Sequence, residues 1–135
     1  MTDKLDDVSR AALIAYRLQR AKIALEEADF NANGNYFNTA VNRLYYACYY
    51  AASALLLKKE ISAVTHKGIK VMLGLHFISK GLLEPKFGRI YDDAFNHRHS
   101  GDYEDFVYCD NEEYQRLKSQ TIEFVERIQK LIDSN

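Results

Sequence analysis

The amino-acid sequence predicts an all-α protein, an up-and-down bundle of four to five helices. Apolar residues recur at intervals of three and four along most of the chain, which is the helical period. Obligatory breaks are few, because the chain has one proline and six glycines. With 135 residues, 47% of them hydrophobic and 27% charged, the chain is expected to form a single globular domain over residues 1–135.

The first two helices are predicted from the spacing of apolar residues in the first half of the chain. A step of three and four from Ala11 to Ala28 predicts an amphipathic helix from about Asp6 to Asn31. The Asn33-Gly34-Asn35 segment ends it. The next run, Phe37 to Lys59, is apolar or aromatic on nearly every side, so it is expected at the centre of the bundle.

Three shorter or more polar helices follow. The third is predicted from about His66 to Ser79, with Ser62 or Thr65 as its cap and Gly81 at its end. A fourth is expected to begin at Pro85, which suits a first helical turn, and to stop or bend at Ser100-Gly101. The fifth is predicted from about Asn111 to Asp133.

Charge and cysteine usage exclude several classes of protein. A net charge of −1 excludes nucleic-acid binding through bulk positive potential and leaves room for a local basic site. The acidic, polar N-terminal segment and the lack of a long apolar run predict a soluble, cytoplasmic protein without a membrane segment. Cys48 and Cys109 form no CxxC pair, and the acidic residues near position 100 are interpreted as solvated, so no metal and no cofactor is predicted.

The first candidate site lies on the central helix. In helical geometry Arg43, Tyr46 and Tyr50 share one face, while Tyr45 and Tyr49 lie four residues apart on another. An arginine that pairs with phosphate and rings that stack on bases are the parts of a nucleotide site. The alternative is that these tyrosines pack in the core or an interface and that Arg43 bonds to a carboxylate or a helix end, and packing is the commoner fate of such residues.

The second candidate site is the segment His97–Asp105. On an unbroken helix Arg98 and Tyr103 would point about 140° apart, so a bend at the intervening glycine is needed to bring the guanidinium, the phenol and one imidazole to a phosphate. The alternative is a solvated helix end at which Arg98 pairs with Asp102 or Glu104. The candidate catalytic residues are Arg98, Tyr103, His97 and His99.

His66 is a third candidate, because it stands at a predicted helix start. The positive end of the helix dipole disfavours an imidazolium there, so a neutral His66 could accept a proton or bind a base edge. The alternative is that this side chain only caps its own helix.

The motifs taken together resemble the HEPN domain. They are Asn42-Arg43-Leu44-Tyr45-Tyr46-Ala47, then Thr65-His66-Lys67-Gly68, then Arg98 through Asp102-Tyr103, within a resemblance that spans about residues 11–132. It implies a small helical bundle that forms a homodimer across its motif-bearing helices. It also implies a neighbouring gene for a minimal nucleotidyltransferase that acts as antitoxin.

The resemblance also implies a ribonuclease motif, in which an arginine is followed at short spacing by a histidine. In that metal-independent reaction the ribose 2′-hydroxyl attacks the adjacent phosphorus, the histidine transfers protons and the arginine stabilises the phosphorane. Here four residues follow Arg98 and then comes Tyr103, so the motif is degenerate. A phenol, with a pKa of about 10, donates a hydrogen bond to phosphate but is a poor base at neutral pH, which favours binding over cleavage.

The resulting hypothesis is a toxin-type component of a HEPN and minimal nucleotidyltransferase pair that acts on or binds RNA or nucleotide at a dimer cleft. The alternatives are a non-catalytic nucleotide-binding or protein-interaction module that serves a nucleotidyltransferase partner, with Tyr103 as the residue modified, and a dimer that is only a scaffold. The predicted nucleotide- or RNA-binding residues are Arg43, Tyr46, Tyr50, His66 and Asp102.

Overall fold

A computed structural model describes residues 5–103 and 108–134, with the side chain of Tyr103 left out of the description. These residues form α-helices and no β-strand, which confirms the all-α prediction. In the same ranges, every helix is too short or too polar to cross a lipid bilayer. The helices are α1 (Asp7–Asn33), α2 (Phe37–Lys58), α3 (His66–Leu73), α4 (Pro85–Tyr103) and α5 (Asn111–Asp133).

Helices α1 and α2 form a hairpin whose interface is lined by small side chains. The Asp6 carboxylate caps α1 by accepting a hydrogen bond from the Ser9 amide at 2.6 Å. The turn after α1 reverses the chain through Asn35, which has a left-handed φ of 67°. Small side chains let the two helix backbones approach closely. The alanines of α1 and α2 with no exposed surface are Ala21, Ala28, Ala40, Ala47, Ala51, Ala52 and Ala54.

Helix α2 lies at the centre of the bundle, as its apolar sequence predicts, and contacts each of the other four helices. Its leucines Leu44, Leu55 and Leu56 are buried. Large side chains from the later helices complete the core, with Phe87 and Tyr91 from α4 and Phe124 and Ile128 from α5. Because other helices surround α2, its tyrosines Tyr46, Tyr49 and Tyr50 are only partly exposed to solvent.

Helix α3 is capped by Thr65, the second of the two predicted caps, whose hydroxyl accepts a hydrogen bond from the Gly68 amide at 2.9 Å. After Leu73 the chain continues as a π-helical turn over Gly74–Ile78, which brings the helical segment to the predicted end near residue 79. Gly81 has a φ of 74° in the turn that follows, a conformation that glycine adopts at low cost.

The prediction that α4 stops or bends at Ser100-Gly101 is wrong about the stop. Helix α4 continues through both residues to Tyr103. A Cβ atom on Gly101 would lie 3.3 Å from Cγ of Asn38, so the missing side chain lets α4 approach the start of α2 closely. Here the glycine serves a helix contact rather than a helix end, and the bend that would bring Arg98 and Tyr103 together stays a prediction.

Candidate functional site

An aromatic cluster occupies the face where α2, α3 and α4 meet. Its centre is Tyr45 of α2, whose side chain is almost fully buried. The ring centroid of Tyr45 lies 5.6 Å from that of Phe95, 5.8 Å from His66 and 6.0 Å from Tyr91. Tyr46 and Tyr49 contact the same ring from α2. Tyr45 is therefore a core residue, as the packing alternative predicts, and the more exposed groups of the site pack against this cluster.

His66 is held inside this cluster rather than at the cap of its own helix. Its ring is stacked against those of Phe95 and Tyr91, with centroid distances of 3.9 and 4.7 Å. Its Nε2 lies 3.2 Å from Oδ1 of Asp92, and its Nδ1 lies 3.5 Å from the Tyr45 hydroxyl. Burial lowers the pKa of His66 below its usual value, and the hydrogen bond to Asp92 opposes that shift only in part. The neutral imidazole predicted from the helix start thus has burial as its main cause.

Arg98 lies beside the aromatic cluster at the C-terminal end of α4. Its guanidinium carbon is 5.7 Å from the centroid of Tyr45 and 5.6 Å from that of Tyr46. Its Nε lies 3.4 Å from Oδ2 of Asp102, the pairing that the solvated-helix alternative predicts. The Asn42 amide donates to the same carboxylate oxygen at 3.2 Å. About a fifth of the Arg98 side chain, 19%, remains exposed.

Arg43 contacts the same tyrosine from α2. Its guanidinium carbon lies 4.9 Å from the Tyr46 centroid, and Nη2 donates to Oδ1 of Asn42 at 2.7 Å. Its Nη1 lies 3.5 Å from Oε1 of Glu27, so the predicted carboxylate partner is present. Two guanidiniums from two helices therefore meet at one ring. We call this set the arginine–tyrosine site, formed by Arg43, Tyr46 and Arg98 with Asn42 and Asp102 at its edge.

Tyr50 continues the row of rings one turn further along α2, and its partner is a residue that the sequence did not single out. Arg20 of α1 places its guanidinium carbon 5.3 Å from the Tyr50 centroid, and Nη2 donates to the Tyr50 hydroxyl at 3.5 Å. Arg20 and Glu27 are seven residues apart and so share one face of α1. That spacing is visible in the sequence, but the sequence does not show that this face of α1 packs against α2.

The histidines of α4 point in different directions. His97 faces α5, with Nε2 2.8 Å from Oε1 of Glu113 and Nδ1 3.2 Å from Oδ1 of Asp93. Arg98, the next residue, faces α2, so the structure does not bring these two side chains to one point. His99 instead lies stacked near Phe95, with 6.0 Å between centroids, on the side of the cluster.

Part of the predicted site lies outside the described residues. The backbone of Tyr103 ends α4, but its side chain is not described, and Glu104 and Asp105 fall in the gap between the two described ranges. Across those ranges, no three His, Cys, Asp or Glu side chains are grouped so that they could hold a metal ion.

Comparison with known proteins decides the family. Residues 14–131 match the model of the HEPN domain. The chain belongs to the HEPN family. A HEPN chain was expected from the motifs on α2, α3 and α4, and that expectation is confirmed. The three motif segments meet at one face of this HEPN protein, since Tyr45 contacts both His66 and Arg98.

The relatives of this HEPN protein cover most of its length. A Thermotoga maritima protein named "UPF0332 protein" is 33% identical over 121 residues, which make up 90% of this chain and 92% of the relative. Two Methanocaldococcus jannaschii proteins are named as candidate toxins. One is 29% identical over 87% of this chain and 80% of its own length, and the other is 35% identical over 71% of each.

Proposed function

We propose that this HEPN protein is the toxin-type component of a pair with a minimal nucleotidyltransferase, and that its homodimer binds RNA or nucleotide at the arginine–tyrosine site. One observation carries the binding proposal. The guanidiniums of Arg43 and Arg98, which come from different helices, lie 4.9 and 5.6 Å from the same Tyr46 ring. The toxin assignment is supported by two relatives that are named as candidate toxins.

A phosphate bound at the site would replace the carboxylate partners of both arginines. Arg43 and Glu27 are 3.5 Å apart, and Arg98 and Asp102 are 3.4 Å apart. A phosphate carries more negative charge than one carboxylate, so it can replace these partners and form charge-assisted hydrogen bonds of its own. The planar guanidinium forms paired hydrogen bonds with phosphate oxygens, while the Tyr46 ring offers a stacking surface to a base.

Binding requires fewer groups than cleavage does. The motif histidine position is occupied by Tyr103, whose phenol is a poor base at neutral pH. Proton transfer would fall to His66 or His99, which lie against Phe95 on the same face as Arg98. The function that the geometry supports best is therefore recognition of an RNA or nucleotide phosphate, with turnover as a separate question for experiment.

An arginine pair on α4 gives a matched test of binding. Arg98→Ala removes one guanidinium from the site, whereas Arg89→Ala removes an exposed arginine nine residues earlier, about 180° around the same helix. We expect fluorescence anisotropy with a labelled RNA oligonucleotide to show at least tenfold weaker binding for Arg98→Ala and unchanged binding for Arg89→Ala. Equal affinity of Arg98→Ala and the wild-type protein would contradict the proposal.

The same proteins separate turnover from binding. Labelled RNA is incubated with each protein in EDTA and analysed by gel electrophoresis. Cleavage by the wild type that is lost in Arg98→Ala identifies a ribonuclease, whereas binding without cleavage identifies a binding module. Light scattering after size-exclusion chromatography tests the homodimer. Co-expression with a nucleotidyltransferase encoded by the neighbouring gene tests the pair, which fails if that gene is absent or no complex forms.

A further inference from the structure

A row of three arginines follows the tyrosine face of α2. Arg20 lies over Tyr50 at 5.3 Å, Arg43 over Tyr46 at 4.9 Å, and Arg98 over Tyr46 at 5.6 Å. The Tyr46 and Tyr50 ring centroids are 6.2 Å apart, so the three arginine–tyrosine contacts form a continuous row. The three arginines come from α1, α2 and α4. We call Arg20, Arg43 and Arg98 the arginine row.

The arginine row is longer than one nucleotide. Its α1 end is marked by Tyr50 and its α4 end by Asn42, which donates to Asp102 beside Arg98. Eight residues separate Tyr50 from Asn42, which is about 12 Å along a helix. A stacked strand advances about 3.4 Å for each nucleotide, so roughly three to four nucleotides cover the row.

The groups along the arginine row suit unpaired bases and phosphates together. Tyrosine rings and guanidinium planes stack on bases, and guanidinium edges bind phosphate oxygens. The hydrogen bond from Arg20 goes to the neutral hydroxyl of Tyr50, and Glu27 on the same face of α1 attracts this guanidinium. A duplex would keep its bases stacked inside, away from these rings. A stacked single strand has unpaired bases that can meet these rings and phosphates that can meet the guanidiniums, so it uses every group of the row.

Two clefts of the described residues lie away from the arginine row. A cleft of about 560 Å³ is lined by Lys86, Arg89 and Glu123 among others, and one of about 420 Å³ by Arg10, Arg17 and neighbouring residues. An isolated nucleotide is usually held in a concave pocket that buries most of its surface. The arginine row instead crosses three helices, which favours a linear ligand over a compact one.

We infer that the arginine row is a track for single-stranded RNA, about three to four nucleotides long, with Arg20 and Tyr50 at the end remote from Arg98. The inference rests on the proposed function, because Arg98 and Arg43 supply the rest of the track. Its new element is a contact between RNA and α1, a helix that carries none of the motifs.

The test combines a length series with a variant of α1. Binding of labelled oligouridylates of two, four and eight nucleotides is measured by anisotropy at two salt concentrations. We expect affinity to increase from two to four nucleotides and then to change little. Arg20→Ala should weaken octamer binding about tenfold, reduce the salt dependence by about one phosphate contact and leave dinucleotide affinity unchanged. Arg20→Lys should keep the salt dependence but not the full affinity, because it retains the charge without the plane.

Lys22→Ala is the matched control, because Lys22 is exposed on α1 about 200° around the helix from Arg20. It should bind every oligonucleotide as the wild type does. If Arg20→Ala retains full octamer affinity while Arg98→Ala does not, the track is wrong and the proposed function stands. Equal affinity for all three lengths also overturns the track. A change in molar mass for Arg20→Ala without a change in RNA affinity assigns the row to a protein interface instead. Absence of binding to any oligonucleotide overturns the proposed function as well.

Discussion

Replacement of His66 is the sharpest test of how the aromatic cluster is held together. The imidazole is stacked against Phe95 at 3.9 Å and Tyr91 at 4.7 Å, and Nε2 lies 3.2 Å from Asp92. Each aromatic contact contributes about 0.5–1.5 kcal/mol and a hydrogen bond about 1 kcal/mol, so His66→Ala should lower the free energy of unfolding by about 2–4 kcal/mol. Urea denaturation followed by circular dichroism measures this change, with an unchanged m-value as the condition for interpreting it.

A second variant at this position isolates the titration of the imidazole. Because burial lowers the folded-state pKa of His66 below the unfolded value of about 6.5, the unfolded chain binds the proton more tightly. The contribution of His66 to stability is therefore present above that value and is lost as the pH falls through the folded-state pKa. His66→Phe keeps a ring between Phe95 and Tyr91 but cannot titrate, so its stability should fall less than that of the wild type between pH 7.5 and 5.

Two results would refute this reasoning. The first is a loss below about 1 kcal/mol for His66→Ala, which would mean that the two stacked contacts contribute little. The second is an identical pH dependence for the wild type and His66→Phe, which would mean that protonation of this imidazole costs the folded state nothing. The two proteins differ only at position 66, so the difference between the two curves reports the His66 imidazole together with its partner Asp92.

Four further outcomes follow from the packing and the backbone geometry. Tyr114→Phe should cost about 1.5–3 kcal/mol in urea denaturation, because the hydroxyl of this buried tyrosine donates to Asp29 at 2.7 Å. Gly74→Ala should raise stability by about 0.5–1 kcal/mol, since its backbone is helical and nothing lies near the added carbon, whereas Gly81→Ala, at a φ of 74°, should lower it by about 1–2 kcal/mol. The Cys48 thiol, whose pKa burial raises to about 12, should react with a thiol reagent at pH 8 only after unfolding. A stabilised Gly81→Ala protein or a rapidly labelled native Cys48 would contradict these expectations.

Helix extents followed from local signals, because a helix begins and ends according to neighbouring residues. The prediction for α5, Asn111–Asp133, is matched by the structure, and Asp110 caps it by accepting from the Glu113 amide at 2.8 Å. The central place of α2 likewise followed from its composition. An apolar surface on nearly every side can be buried only where other helices surround it.

Contacts between distant segments were beyond the reach of such signals. The local preference of glycine for helix ends misled the prediction of a stop at Gly101. What requires a glycine there is the close approach of Asn38, which lies 63 residues earlier in the chain. The motif order did identify the HEPN family and several residues of the candidate site. It could not show that His97 faces α5 while Arg98 faces α2. Sequence spacing fixes the angle of a side chain around its own helix, but it does not say which neighbouring helix that side chain contacts.

The amino-acid order alone therefore determined the helices, their approximate ends, the central helix and the family, since each depends on short-range periodicity, capping or motif spacing. Helix packing determined which side chains from distant parts of the chain contact one another. His66 meets Phe95 across 29 residues, and Arg20 meets Tyr50 across 30, only because α1, α3 and α4 all lie against α2. The physical reason is that burial of apolar surface is non-directional: it favours compact helices but does not by itself choose among the ways in which their faces can meet.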